Sequence, residues 1–366
     1  MKHAVKAVAR KCILNAVKRV QYDHLTKEDQ EFVDMHPEWE DLTEKEKSLF
    51  PKAEWDGYKI YKNLASDYNE ETARYYVTDY RYQTELLPRL NKLNYARFGI
   101  RHPVTIFCDK NYQDVFSGLK FPEILLRNIQ GMFYDSKFAR LTKKEALALL
   151  NRYEKVVFKK SVNASHGKGI FVSGEYNHKS TMDQVKSNYV VQTMLRQHEF
   201  LAKFNASSVN ITRITTLFWR GELYILGSIF RVGAPGAFCD HLGKDGVGPR
   251  FMRINEQGKL EGKAYDRDYG VFYDDCFGQK IEGEIPEFSK MKKHALEVHG
   301  KYPGYNIIGW DFTVDHAGNV ICVEYNTSCP DAVRSQILCG PMFAKKSVCG
   351  SPLLDEIMET ANDFIF

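Results

Sequence analysis

The sequence lacks the features that mark secreted and membrane-spanning proteins. Its eight cysteines are scattered as single residues, without a C-x-x-C pair and without the density of a disulfide-stapled domain. It shows no signal peptide and no apolar run near the length of a membrane span. We therefore expect neither a disulfide-rich secreted domain nor an integral membrane protein, but a cytoplasmic protein with reduced thiols.

A strong excess of one charge and internal repeats are also absent. Lysine and arginine together number 51 and the acidic residues 47, so the formal net charge is only +4 and gives no reason to expect a nucleic-acid partner. What the sequence does contain is an ordinary globular composition: 366 residues, 43% of them hydrophobic and 13% aromatic. That length and apolar content suffice for two or three packed subdomains.

The first 20 residues are a local exception to this charge balance. They carry six lysines and arginines and no acidic residue, and their apolar residues recur at helical spacing. The pattern predicts a basic amphipathic helix whose charged face is solvated; the alternative is peripheral contact with an anionic membrane surface. Helix-start signals such as Thr26-Lys-Glu-Asp follow, so we predict a helical N-terminal region over residues 1–98.

Beyond residue 99 the sequence alternates between strand and helix patterns, which predicts an α+β domain. The predicted strands are Thr105 to Cys108, Lys155 to Lys159, Gly169 to Ser173, Tyr189 to Thr193, Thr212 to Trp219 and Leu223 to Val232, and the predicted helices are Phe288 to His299 and Pro352 to Asp363.

The stretch "GWDFTVDHAGNVICVEYN" at residues 309–326 reads as a β-hairpin. If residues 316–319 form its loop, Asp311 lies opposite Glu324, and Asn326 adds a third oxygen to the same face. Two carboxylates and an amide oxygen suit Mg²⁺, which prefers oxygen ligands. The alternative is an exposed hairpin face with scattered polar residues.

The stretch "VVFKKSVNASHGKGIFVS" at residues 156–173 runs from one strand through a glycine-bearing loop into another. Backbone N–H groups near Gly167 could approach phosphate oxygens, with Lys159 and Lys168 supplying positive charge. The pattern is not a Walker loop, because GxxxxGK[ST] is missing and no helix follows directly. An ordinary turn is the alternative.

Two further stretches contain polar residues beside apolar strands. In "NYVVQTMLRQHEF" the strand edge after Gln192 could present backbone groups to an adenine, and Glu199 could accept from ribose hydroxyls. In the run from Ser207 to Gly233, Arg213 and Arg231 interrupt strand-like segments and call for an anionic partner, either a substrate or a structural ion pair.

In their order and combination, these stretches resemble ATP-grasp enzymes and are most similar to the sugar-transfer associated ATP-grasp family, over about residues 100 to 350. The motifs that carry the resemblance are "DKNYQDVF", "VVFKKS...SHGKGI", "VVQTMLRQHEFLAKFNASSVNITRITT", "FRVGAPGAFCDHLGKDGVG" and "GWDFTV...VICVEYN". The resemblance implies an α+β ATP-grasp fold, in which two α+β subdomains grip ATP, over residues 99–366. Its parts would be a linker subdomain at 99–150, a Gly-loop subdomain at 151–195 and a metal and substrate subdomain at 196–366.

The resemblance also implies residue roles. ATP would be bound by Lys110, Lys159, the loop residues Ser165, His166, Gly167, Lys168 and Gly169, the adenine hinge of Gln192, Thr193, Met194 and Leu195, and Glu199 on the ribose. Magnesium would be held by Asp311, Glu324 and Asn326. Arg213, Arg231 and Lys159 would act in catalysis, and Asn210, Arg213, Arg231, Asp240 and His241 would bind the substrate.

The implied activity is that of an ATP- and Mg²⁺-dependent carboxylate–amine ligase acting through an acyl phosphate. Its partners would be a small-molecule carboxylate and an amine or sugar-linked substrate, in surface polysaccharide biosynthesis. One alternative is a kinase that phosphorylates a small-molecule hydroxyl. A second is a nucleotide-binding module without catalysis, which the intact lysines and metal-site residues disfavour.

Overall fold

The computed structural model describes residues 25, 27, 29–65, 67–91, 106–162, 169–239, 247–266, 270–327 and 332–360. The amphipathic helix predicted for residues 1–20 lies outside the described residues. The chain divides into two compact units, one within residues 1–101 and 331–366 and the other within residues 102–330. The subdomain boundaries that the sequence suggests stay a prediction.

The first unit is helical. Its helices are residues 29–34, Glu44–Lys47, Trp55–Leu64, Glu70–Ala73, Asp79–Arg81, a π-helical turn at Tyr82–Leu86, residues 87–91, Ala332–Cys339 and Leu353–Glu359, with 3-10 turns at Lys52–Glu54 and Met342–Ala344. A capping box formed by Thr43 and Glu46 starts one helix, because the threonine side chain satisfies a free N–H group of the first turn. Gln336 joins the C-terminal part of the unit to the N-terminal part, since its amide exchanges two hydrogen bonds, of 3.1 and 3.2 Å, with the Val77 backbone.

The second unit contains a six-stranded antiparallel sheet, here called the first sheet. Its strands are β1 (Ile124–Ile129), β2 (Met132–Tyr134), β3 (Arg140–Leu141), β4 (Lys155–Lys160), β5 (Ile170–Gly174) and β6 (Tyr189–Thr193), in the order β3-β2-β1-β6-β4-β5. The core on one face contains Val156 and Phe158 of β4 together with side chains from the helices Lys143–Leu150 and His178–Val185. Because side chains alternate along a strand, Val157 and Lys159 point to the opposite face.

A seven-stranded antiparallel sheet, here called the second sheet, forms the rest of this unit. Its strands are β7 (Ile211–Trp219), β8 (Glu222–Val232), β9 (Arg250–Ile254), β10 (Leu260–Asp266) and β11 (Val271–Tyr273), then, after a separate pair β12 (Asp275–Cys276) and β13 (Gln279–Lys280), β14 (Ile307–Val314) and β15 (Val320–Asn326). The order is β11-β10-β9-β8-β7-β14-β15. The helix Phe288–Lys301 packs on one face, and the short helices Gln113–Ser117 and Glu199–Ala202 and the 3-10 turns Ile106–Cys108 and Glu175–Asn177 lie in connections.

These elements confirm the α+β class and most of the predicted strands. One prediction is wrong: Ile106–Cys108 is a 3-10 turn and not a strand. The Asp109 backbone N–H donates to the Ile106 carbonyl at 3.2 Å, and the Asp109 carboxylate accepts from the Asn111 backbone at 2.9 Å, so local hydrogen bonds replace a ladder. Among the described residues, no helix is both long and apolar enough to cross a bilayer.

A buried histidine ties the helix Phe288–Lys301 to the second sheet. His299 has no solvent exposure, its Nδ1 lies 2.7 Å from the Thr216 hydroxyl, and its Nε2 lies 2.5 Å from the Tyr305 carbonyl oxygen. The Trp310 indole N–H donates to the same hydroxyl at 2.8 Å. A carbonyl can only accept, so Nε2 carries the proton and Nδ1 accepts. Burial lowers the pKa of His299 to about 4, although the Tyr305 carbonyl opposes the shift.

We predict that the protein loses stability as the pH falls from about 6.5 to about 4. In this window the unfolded chain protonates His299 while the folded chain does not, so the free energy of unfolding falls by on the order of 3 kcal/mol. Urea unfolding at several pH values measures this effect. His299→Gln should flatten the pH dependence, whereas His316→Gln, at an exposed hairpin position, should leave it unchanged. An identical slope in wild type and His299→Gln would contradict the assignment.

Candidate active site

Three charged residues form a row across neighbouring strands of the second sheet. Arg213 on β7 lies directly opposite Asp311 on β14, and Asp311 lies directly opposite Glu324 on β15. Directly opposed residues of antiparallel strands point to the same face, so the three side chains share one surface. The helix Phe288–Lys301 covers the other face, on which Trp310 lies. The predicted register of Asp311 against Glu324 is confirmed.

That register depends on a β-bulge that the sequence did not reveal. The hairpin closes with Val314 opposite Val320, and regular pairing from there would set Val323 opposite Asp311. The register shifts between Asp311 and Phe312, which adds Val323 as an extra residue on β15 and brings Glu324 opposite Asp311. The hairpin turn itself is closed by Asp315, whose carboxylate accepts from the Ala317 and Asn319 backbones.

The first carboxylate of the row is paired with arginine. Arg213 is 5% exposed and Asp311 is 2% exposed. Arg213 Nη2 donates to Asp311 Oδ2 at 2.8 Å and Nε donates to Oδ1, so the pair is bidentate. A buried charge requires such a partner, because removing it from water is otherwise very costly. The sequence left open whether the anionic partner of Arg213 is a substrate or a structural ion pair, and the structure pairs its guanidinium with Asp311.

The second carboxylate is paired with lysine. Lys110 Nζ lies 3.2 Å from Glu324 Oε2, and the Asn326 amide donates to Glu324 Oε1 at 3.3 Å. Burial alone would raise the pKa of Glu324, but Lys110, Lys159, Asn326 and Arg213 together hold it well below its usual range. Glu324 is therefore ionised at neutral pH. The resemblance implies that Lys110 contacts a phosphate and that Glu324 binds the metal, and in the structure these two side chains form an ion pair.

A second lysine enters the same cluster from the first sheet. Lys159 lies near the end of β4 and is 8% exposed. Burial lowers the pKa of Lys159 to about 8; Glu324, Cys322 and Cys239 oppose this shift, and Lys110 adds to it. Lys159 is therefore mostly protonated at pH 7 and can lose its proton in mildly alkaline solution. The cluster thus combines two lysines, one arginine and two carboxylates.

The predicted adenine hinge begins within β6, whose last two residues are Gln192 and Thr193. Gln192 is 3% exposed and lies opposite Val157, so its side chain points to the same face of the first sheet as Lys159. Its Oε1 is buried and has no hydrogen-bond partner among the described residues, so it could accept from a ligand donor. The Thr193 backbone N–H is used by the Glu123 carbonyl at 2.9 Å.

The remaining hinge and ribose residues are open to solvent to different degrees. Met194 is 39% exposed, Leu195 is half-buried, and Glu199 is the exposed first residue of its short helix. The ATP-binding roles of these residues stay predictions.

Parts of the predicted site lie outside the described residues, namely Ser165, His166, Gly167, Lys168, Asp240 and His241. Gly169, which closes the predicted phosphate loop, is described. Its φ is +115°, a conformation that glycine adopts easily, and its carbonyl accepts from the Lys160 backbone at 2.8 Å.

Two predicted substrate residues have clear local surroundings. Asn210 is fully buried, and its Nδ2 donates to the Leu201 and Asn205 carbonyls at 2.9 Å each, so its amide fixes the loop before β7. Arg231 on β8 is half-buried, with its guanidinium 5.3 Å from the centre of the Phe251 ring. Their substrate-binding roles stay predictions.

The donor set at the row fits a hard divalent cation. Asp311, Glu324 and Asn326 offer two carboxylates and an amide oxygen, which are the ligand types that Mg²⁺ prefers. Across the described ranges, no group of three or more His, Cys, Asp or Glu side chains could hold a metal, so this mixed set is the candidate. Both carboxylates are paired with side-chain cations.

Several residues around the cluster were not singled out from the sequence. Cys322 is buried on β15, and burial raises the pKa of its thiol. Gln113 donates to the Tyr325 carbonyl at 3.0 Å, and Arg127 pairs with Asp114 at 2.6 Å. A single Cys or Gln gives no sequence signal, but an arginine within the apolar strand "ILLRNI" could have indicated a buried ion pair.

Comparison with protein-family models gives one match. The model described as sugar-transfer associated ATP-grasp covers residues 90–349 of the chain. The comparison with curated proteins finds no match.

Solved structures that resemble the chain include two ligases and one synthetase. D-alanine-D-alanine ligase from Helicobacter pylori shares 13% identity, with 69% of this chain and 58% of that chain covered and a TM-score of 0.39. N5-carboxyaminoimidazole ribonucleotide synthetase from Thermotoga maritima shares 13% identity, with 67% and 50% covered and a TM-score of 0.36. L-amino acid ligase from Bacillus licheniformis shares 11% identity, with 64% and 43% covered and a TM-score of 0.33. The chain spans less than two thirds of the length of each, and similarity at this level carries no information on activity.

We predict strong coupling between Arg213 and Asp311 in the free energy of unfolding. Arg213→Met leaves a buried carboxylate without its partner and should cost about 3 kcal/mol, whereas the double variant Arg213→Met/Asp311→Leu should cost clearly less than the sum of its single changes. Lys120→Met removes the more exposed pair with Asp315, at 3.4 Å, and should cost under about 1 kcal/mol. Denaturant unfolding measures all four variants. Additive single costs would contradict the coupling.

Proposed function

Since this chain belongs to the sugar-transfer associated ATP-grasp family, we propose that it is an ATP- and Mg²⁺-dependent carboxylate–amine ligase. Family membership confirms the resemblance and the α+β ATP-grasp fold that the sequence predicts. The observation that carries the proposal is the convergence of Lys110 and Lys159 with the opposed carboxylates Asp311 and Glu324. Phosphoryl transfer relies on such positioning and charge stabilisation more than on any single base.

The nucleotide would lie between the two sheets of this unit. Lys110 and Lys159 would contact its phosphates, and the buried Gln192 Oε1 would accept from the exocyclic amino group of adenine. The Ser165 to Gly169 loop would close over the phosphates, and Glu199 would accept from the ribose hydroxyls. Burial of the two lysines would strengthen their attraction to the phosphates, because charge interactions are stronger when water is excluded.

The residues Asp311, Glu324 and Asn326 would hold Mg²⁺, which would supply positive charge to offset the negative charge of the bound phosphates. In the structure, Arg213 and Lys110 are the countercharges of these two carboxylates. With a metal as countercharge, both side chains could donate instead to anionic oxygens of the nucleotide and the acyl substrate.

The proposed reaction has two steps. A carboxylate oxygen of the substrate forms a bond to the γ-phosphorus of ATP while the bond to ADP breaks, which gives an acyl phosphate. The amine nitrogen then attacks the acyl carbon, phosphate leaves with the bonding electron pair, and the nitrogen loses a proton to solvent. Arg213, Arg231 and Lys159 would stabilise the charge that develops on the transferred group.

The substrate proposal rests on the family description alone. We propose that an amino acid or amine is joined to a sugar-linked substrate in surface polysaccharide biosynthesis, with Asn210, Asp240 and His241 near that substrate.

A screen of carboxylate and amine pairs, including nucleotide sugars, tests the reaction class by ADP release and by the product mass. Release that needs both substrates, with a condensed product, supports the ligase. A phosphorylated product without condensation would point to a kinase of hydroxyl groups.

We predict that ATP raises the melting temperature only when Mg²⁺ is present. A ligand that binds the folded state stabilises it by mass action. Tight binding of the nucleotide would need Mg²⁺ on its proposed ligands. Glu324→Gln replaces one proposed anionic ligand with a neutral amide and should abolish the Mg²⁺ dependence, while Glu222→Gln, at an exposed strand start, should retain it. Thermal unfolding with and without EDTA measures the shift. An unchanged Mg²⁺ dependence in Glu324→Gln would remove the metal assignment.

We predict that nucleotide affinity falls as the pH rises above about 8. Lys159 of the free protein loses its proton there, while bound phosphates would retain it, so binding must take up a proton. The Kd for ADP should rise up to tenfold per pH unit, as calorimetric titration would measure. Lys159→Arg keeps its charge and should show a flat profile, and Lys155→Arg, exposed on the same strand, should behave like wild type. A flat wild-type profile would contradict the role of Lys159.

A further inference from the structure

The segment Ile106–Ser117, which carries Lys110, is attached on one side to the second sheet. Phe107 is 3% exposed, and its ring lies 4.6 Å from that of Tyr305 and 4.7 Å from that of Tyr325 on β15. Gln113 Nε2 donates to the Tyr325 carbonyl at 3.0 Å, next to Glu324 in the chain. Apolar packing and a buried hydrogen bond therefore fix this side of the segment to the strand that holds the carboxylate.

On its other side the segment is attached to the first sheet chiefly through an arginine, beside a weaker bond of 3.4 Å from the Asn111 side-chain amide to the Asn128 carbonyl of β1. Arg127 on β1 is 1% exposed and donates to both carboxylate oxygens of Asp114, at 3.0 and 2.6 Å. The same guanidinium donates to the carbonyls of Asn111 and of Ser136, the latter at 3.1 Å. One buried cation thus satisfies a carboxylate and two backbone oxygens at once, which the forked donor geometry of arginine allows.

The surroundings of Arg127 hold its guanidinium in place. The Phe138 ring lies over it at 4.3 Å from the ring centre and stacks on Tyr112 at 5.5 Å. Phe138 has φ of +65°, a left-handed conformation that a bulky residue rarely adopts. A strained backbone conformation persists only where the surrounding contacts hold it. At Phe138 this conformation places the ring over the guanidinium of Arg127.

We propose that Arg127 is a positioning residue that fixes Lys110 for nucleotide binding. Two anchors flank Lys110: its own backbone N–H donates to the Ser161 carbonyl at 3.0 Å, and the carbonyl of the next residue, Asn111, accepts from Arg127. Ser161 lies two residues beyond Lys159, so these anchors set the two lysines relative to each other. This inference rests on the proposed function, because it assigns Arg127 an effect on phosphate binding.

Arg127→Lys would keep the positive charge but lose the forked set of N–H donors that arginine carries. An ammonium could pair with Asp114, but it could not also hold both carbonyls in the same plane. Arg127→Lys is therefore expected to fold and to leave the Asn111 carbonyl without its arginine donor. Lys110 would then sample positions away from Glu324, and the affinity for the nucleotide would fall.

A double-mutant cycle on the full-length protein tests the inference, with MgADP affinity measured by calorimetry. Arg127→Lys should weaken binding at least tenfold, Lys110→Gln should weaken it to a similar extent, and the double variant should be no weaker than Lys110→Gln alone. Non-additivity is expected because both changes remove the same contact. Arg140→Lys, exposed on β3 of the same sheet, is the control and should bind as wild type.

Additive losses would overturn the inference, because they mean that Arg127 acts on the fold generally and not through Lys110. If Arg127→Lys fails to fold, Asp114→Asn repeats the cycle at a residue whose side chain is 26% exposed. A wild-type protein that does not bind MgADP would refute the proposed function, and the inference with it. Binding by wild type with an additive cycle would refute the inference alone.

Discussion

The candidate site depends on one electrostatic constraint: Asp311 and Glu324 face each other on neighbouring strands and carry the same charge. Such a pair weakens an antiparallel sheet unless positive charge lies beside it. The structure supplies that charge from two places. Arg213 comes from the adjacent strand of the same sheet, so sheet geometry alone sets its distance to Asp311. Lys110 comes from a separate segment, so its distance to Glu324 depends on everything that holds the segment.

The opposed carboxylates exist because one strand is irregular. Without the bulge at Val323, Glu324 would turn to the face on which Trp310 packs, and its charge would enter an apolar core. A one-residue shift exchanges the two faces of a strand, so the bulge decides whether Glu324 faces Lys110 and Asp311 or enters the core as an unpaired anion. The bulge interrupts the pairing of the hairpin between Phe312 and Asp311, after which three further pairs follow, from Asp311–Glu324 to Gly309–Asn326.

The sequence predicts the parts of this site that follow from local pattern. Alternation of apolar residues locates β14 and β15. The four-residue loop assumed from the sequence sets Asp311 against Glu324 by regular pairing, whereas in the structure the loop is one residue longer and the bulge restores that pair. The sequence does not predict the bulge, because the shift arises from contacts across the sheet. It does not predict the Arg213–Asp311 pair either, since 98 positions separate the partners and only the order of strands brings β7 beside β14. The mistaken strand before Asp109 has a different origin: an apolar run of three residues shows no periodicity, and local hydrogen bonds determine its conformation.

The balance of charge in the cluster explains why its parts belong together. Lys110, Lys159 and Arg213 contribute three positive charges, and Asp311 and Glu324 contribute two negative charges, so the cluster carries about one positive charge at neutral pH. A divalent cation alone would raise that excess and would meet repulsion from the three basic side chains. A nucleotide alone would bring its phosphates close to two carboxylates. The two together carry a negative charge that the cluster can balance, so metal and nucleotide should each favour the binding of the other.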